Sequence, residues 1–100
     1  MAMGTDKQLL IPDAAGGDPA AFELLRVWIA AESQQVSLRG GVWKDPEAWG
    51  IMLADLARNI VLIHHEQDSD MDPDAFLSSL LEGFDTEMDT VIDEFSGEAG

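Results

Sequence analysis

The chain has 100 residues, a net charge of −15 and an apolar content of 46%, which bounds it to one small domain with a thin core. It has no cysteine, which removes disulfides, thiolate nucleophiles and cysteine-based zinc sites. So negative a chain is repelled by nucleic-acid phosphates and by an anionic membrane surface, and it attracts cations or a basic protein partner. The charge is also lopsided: the five basic residues all lie within the first 58 positions, and residues 59–100 carry twelve acids and no lysine or arginine. No apolar run approaches the roughly 20 residues of a membrane span. The N-terminus lacks a charged-then-apolar export pattern, so a cytoplasmic protein is expected.

Residues 1–17 read as a mobile tail whose one apolar run, Leu9-Leu10-Ile11, can pin a short strand or hook onto the body. Residues 18–96 read as a single compact domain and 97–100 as a frayed end. Within the domain, FELLRVWIA, a polar AESQ turn and QVSLR predict a β-hairpin. Leu25, Val27 and Ile29 then face one side, with Val36 and Leu38 across from them, and Arg26 and Trp28 face the other. A helix from Pro19 to Ala30 competes with this reading, because Asp18-Pro19 is a helix-start signal and Phe22, Leu25 and Ile29 have helical spacing. β-branched Val27 and Ile29 favour the strand. Gly40-Gly41 marks a turn at the end of this unit.

A long helix follows in VWKDPEAWGIMLADLARNIVLIHH, residues 42–65. Asp45 is placed to accept from first-turn amides, Pro46 suits the first helical position, and Glu47 and the two histidines match the two ends of the helix dipole. Trp49, Met52, Leu53, Leu56, Ile60 and Ile63 fill one face at helical spacing, and Ala54, Ala57 and Val61 widen it enough that the helix needs cover on more than one side. A second amphipathic helix begins at Asp72-Pro73. Phe76, Leu77, Leu80, Leu81, Phe84, Met88, Val91, Ile92 and Phe95 form its stripe, and acids occupy the opposite face. The pattern Asp-Pro-x-Ala-aromatic occurs at 18–22, 45–49 and 72–76. It reads as shared capping chemistry, or, on the all-α alternative, as the start of three helical repeats.

Candidate sites are few. Asp68, Asp70, Asp72 and Asp74 alternate like the start of an EF-hand loop, but Pro73 stands where that loop needs glycine and Ser79 where it needs glutamate. Only weak divalent binding is left to them, beside the simpler reading of a solvated capping loop. Adjacent His64 and His65 point about 100° apart and do not share an ion readily. No nucleophile elbow, phosphate loop or metalloprotease spacing occurs, so the expectation is a non-enzyme without a cofactor. Ile51, Asp55, Arg58 and Leu62 form a line on the long helix away from its main stripe, and with Trp28 they are the interface candidates for a homodimer. In the competing reading Asp55 and Arg58 pair within their own helix.

The stretch from Arg26 to Ile60, with RVWIA, QQVSL, VWKDPEAWG and LADLARNI, resembles short bacterial proteins, mainly alphaproteobacterial, grouped as domain of unknown function 5076. The resemblance covers about a third of the chain and fades in the acidic C-terminal third. It implies a cytosolic bacterial protein and transfers no activity or site. The expected fold is therefore α+β: a hairpin followed by two packed helices (ββαα), sheet-extended in a homodimer, with a three-helix bundle as alternative. The expected function is a non-catalytic interaction module, homodimeric or an acidic adaptor for a basic partner. The alternatives are a small-molecule module using Trp28, Trp43 and Trp49, and a weak cation binder at Asp68–Asp74.

Overall fold

The structure, a computed structural model, describes residues 7–96; the expected frayed end at 97–100 lies outside the described residues. The elements in order are α1 (Asp13–Gly16), β1 (Leu25–Ala30), β2 (Ser33–Leu38), α2 (Glu47–Gln67) and α3 (Pro73–Ser96). This is the ββαα order of the α+β reading, with strands where the three-helix alternative needs a helix. The chain divides after Val42 into two compact units.

In the first unit β1 and β2 pair antiparallel, with Leu25 opposite Leu38, Val27 opposite Val36 and Trp28 opposite Gln35. Alternation along each strand puts Leu25, Val27, Ile29, Val36 and Leu38 on one face, and Arg26 and Trp28 on the other. The Asp18-Pro19 signal still acts locally. Asp18 Oδ1 accepts from the Ala20 N–H at 2.9 Å, and the Ala21 N–H donates to the Asp18 carbonyl at 3.0 Å. The turn goes no further, because the β-branched run beyond it pairs as a strand instead. Arg39 clasps the open end of the hairpin: its N–H donates to the Leu24 carbonyl (2.9 Å), its Nε to the Glu23 carbonyl (3.1 Å), and its guanidinium lies 5.4 Å from the centre of the Phe22 ring.

The hairpin turn is tighter than the expected AESQ loop. Ser33 and Gln34 belong to β2, which leaves Ala31 and Glu32 to make the reversal at φ 53° and 63°. A two-residue turn matching the twist of its strands needs left-handed backbone at both positions, a role suited to asparagine and glycine. For residues with a Cβ that conformation is unfavourable by about 1–2 kcal/mol each.

In the second unit the capping chemistry runs to completion twice. Asp45 Oδ1 accepts from the Glu47 N–H at 3.0 Å, and Asp72 Oδ1 accepts from the Asp74 N–H at 3.0 Å. Helical bonding follows at once, from Ala48 N–H to the Asp45 carbonyl and from Phe76 N–H to the Asp72 carbonyl. After residues 68–72 α3 folds back along α2. The reversal is pinned by His65, whose Nδ1 lies 3.1 Å from the Met71 carbonyl oxygen, and by the His64 ring, 4.9 Å from that of Phe76.

The seam between α2 and α3 corrects the expected core. Val61, at 8% exposure, is the one buried apolar residue among those described, with Ala57, Phe76, Leu80 and Val91 half-buried. The larger stripe expected to form the core face of α2 stays open at Leu53, Leu56, Ile60 and Ile63. Helices approach most closely across small side chains, and the Ala57–Val61 side offers that to α3 where the bulky stripe does not.

A tighter turn chemistry checks the strain at the hairpin tip. Ala31→Asn with Glu32→Gly is expected to stabilise the chain by about 1–2 kcal/mol in urea unfolding, with an unchanged helical signal.

Candidate functional site

The helical unit exposes two apolar surfaces, and helix geometry sorts them onto opposite sides. Each residue turns the helix by about 100°. On α2, with Ala57, Val61 and His64 toward α3, the stripe of Leu53, Leu56, Ile60 and Ile63 lies about a quarter-turn to one side. Ile51, Arg58 and Leu62 lie a quarter-turn or more to the other. On α3, with Phe76, Leu80 and Val91 toward α2, an exposed strip of Leu77, Leu81, Phe84, Ile92 and Phe95 lies a quarter-turn round. Ile60 shares a shallow cleft with Ala75, Phe76 and Ser79, which fixes how the sides correspond. The α3 strip therefore shares its side with Ile51, Arg58 and Leu62. Phe95 is 80% exposed and Ile51 67%. Solvated apolar rows on a helix are the usual mark of an interaction surface.

The interface candidates on α2 are all at the surface. Asp55 is held within its own helix: Arg58 Nη2 donates to its Oδ1 at 3.4 Å and Asn59 Nδ2 to its Oδ2 at 3.2 Å. Both partners of the Arg58–Asp55 pair are mostly solvated, so the pair adds little to stability.

Trp43 and Trp49 meet edge to face, with ring centres 4.7 Å apart and planes at 76°. Trp28 belongs to the hairpin unit, where it lines an open cleft of about 990 Å³ between β1 and the segment from Lys7 to Pro12, with Leu9, Ile11 and Phe22 among its walls. Leu9 and Leu10, 97% and 92% exposed, stand out into solvent.

Two of the four aspartates of 68–74 bond with their side chains to the local backbone. Asp68 Oδ1 accepts from the Asp70 N–H at 3.1 Å, as Asp72 does from Asp74. No group of three or more His, Cys, Asp or Glu residues placed to hold a metal ion occurs among the described residues. His64 Nδ1 lies 2.7 Å from the Ile60 carbonyl oxygen and His65 is engaged with Met71, so the pair ends the helix and frames the turn. No helix among the described residues is long and apolar enough to cross a membrane.

The family model described as Domain of unknown function (DUF5076) matches residues 8–91. The chain belongs to the DUF5076 family. The match runs well past the Arg26–Ile60 stretch that carries the sequence resemblance, so most of α3, including Leu77, Leu81 and Phe84, lies inside the family domain. No curated protein matches the chain. Among solved structures it is similar to one described as that of "a putative pyruvate dehydrogenase from the photosynthetic bacterium Rhodopseudomonas palustrus CGA009", at 27% identity and a TM-score of 0.66 over 82% of each chain.

The α3 strip of this DUF5076 chain is absent from the interface residues named by sequence reasoning, which assigned those positions to the core. Their signal was the width of the stripe: nine apolar residues spread over about 160° of the helix are more than one seam can cover.

Because Asp72 caps α3, Asp72→Ala is expected to destabilise the chain by about 1 kcal/mol, equally with and without added calcium. Asp18→Ala, at a turn with no helix behind it, is expected to cost less in the same urea titration.

Proposed function

We propose that this DUF5076 chain is a non-catalytic interaction module that self-associates as a homodimer and leaves the acidic side of α3 free for a basic protein partner. The observation that carries the reading is the uncovered apolar strip on α3 together with Ile51 and Leu62 of α2. These side chains expose on the order of 700 Å² of apolar surface, near the ~800 Å² per partner of a standard interface. α3 carries Asp74, Glu82, Asp85, Glu87, Asp89, Asp93 and Glu94 and no base, a field that attracts cationic protein surfaces. The bacterial origin of the solved neighbour, and the lack of a membrane-spanning helix among the described residues, support a cytoplasmic bacterial protein.

The dehydrogenase name belongs to the neighbour. Among the described residues every acid and base except half-buried His65 is exposed to solvent, an arrangement that supports binding better than proton transfer in a cleft. A second reading is favoured by the cleft beside Trp28, whose size is near the upper end for small-molecule sites: it would take an apolar ligand. Tryptophan emission that stays fixed across a metabolite panel argues against that reading.

Sedimentation velocity at tens of micromolar is expected to show a dimer. Leu81→Asp with Phe84→Asp is expected to yield a monomer that keeps its helical circular dichroism, since both side chains are solvated in the single chain. A wild-type monomer under those conditions overturns the homodimer.

A further inference from the structure

The structure points to one way in which two copies meet: we infer that α2 of each lies along α3 of the other, building an antiparallel four-helix bundle around a two-fold axis parallel to the helices. This rests on the homodimer reading and specifies its geometry. Two flat helical pairs related by a two-fold axis can stack face to face in two ways. With the axis across the helices, α2 lies on α2 and α3 on α3. With the axis along them, each α2 lies on the partner's α3.

Charge separates the two. α3 has seven acids and no base, so α3 on α3 brings two wholly negative helices together across a partly dry contact, where like charges are strongly opposed. α2 is the helix with a base. Arg58 stands on the same side of the helical pair as the α3 strip, its side chain is 70% exposed, and its bond to Asp55 is long at 3.4 Å. Laid on the partner's α3, it meets an acidic helix with a donor to spare.

Spacing agrees. A two-fold axis along the bundle keeps every residue at its own height, and within one chain the heights are set by His64 beside Phe76. Near that register, Leu62 comes within a turn of Leu81, Arg58 of Asp85 and Ile51 of Ile92. The intervals are the same on both helices, seven residues and then four, run in opposite directions as antiparallel neighbours require. Each apolar residue of the α2 line thus finds an apolar residue of the α3 strip, and the base between them finds an acid.

The absence of cysteine makes the test clean. Leu62→Cys and Leu81→Cys are made in separate chains, both at half-exposed positions. Mixed and oxidised, the two variants are expected to give a covalent heterodimer, while Leu81→Cys alone gives none. In parallel, Arg58→Glu is expected to weaken self-association roughly tenfold, and Arg58→Glu with Asp85→Arg to recover it. A dimer by sedimentation in which Leu81→Cys crosslinks with itself, or in which the mixture fails to crosslink, overturns this arrangement and leaves the homodimer standing. A monomer by sedimentation removes both.

Discussion

Two helices that meet along one seam can hide only about one side of each, and α2 and α3 were both given more apolar surface than that. The rest of the helical unit follows from this mismatch. The seam goes to Ala57 and Val61, where backbones can approach, and the larger side chains are pushed out to the flanks. Among the described residues Val61 alone is buried, and a single buried valine contributes only about 1.5–3 kcal/mol. The pair is therefore held as much by its turn as by its core: the His65–Met71 contact, the His64–Phe76 ring contact and the Asp72 cap all cluster at the reversal. What the seam leaves uncovered is the apolar strip on which the proposed self-association rests.

Electrostatics then decides which contacts that surface tolerates. Acids dominate the second unit, and α3 carries seven of them with no base, so any neighbour of α3 must bring positive charge or keep its own acids away. Arg58 matters for this reason. In the single chain it makes a solvated pair of little energetic weight, yet it is the one arginine on either long helix. The interval from Arg58 to its aliphatic neighbours matters as much as its charge, because apolar and ionic contacts must be satisfied in the same register.

The elements themselves were legible in the sequence. Alternation in Leu25, Val27 and Ile29 predicted the strand face, and the Asp-Pro-x-Ala-aromatic signature predicted the starts of both long helices. The same signature at Asp18 shows the limit of local signals: the cap forms, and the residues after it decide whether a helix follows. The choice of seam was not legible. Periodicity reports that a helix face is apolar without reporting which neighbour meets it, so the Trp49–Ile63 stripe looked like core and the α3 strip looked like more of the same. The hairpin tip was misread for a different reason. Ala31 and Glu32 have no preference for left-handed backbone, and they adopt it because strand pairing up to Ala30 and Ser33 leaves only two residues for the reversal.

That tip bears on how firmly the hairpin is held closed. A two-stranded hairpin is marginal in water, and this one closes through a turn its own residues oppose. Its local opening free energy is consequently small, and any molecule that covers Val27, Val36 and Leu38 only in the closed form raises it as its concentration exceeds its Kd. Order in the hairpin is thus thermodynamically linked to occupancy of its apolar face. Slower amide exchange along β1 and β2 would report any cover over that face.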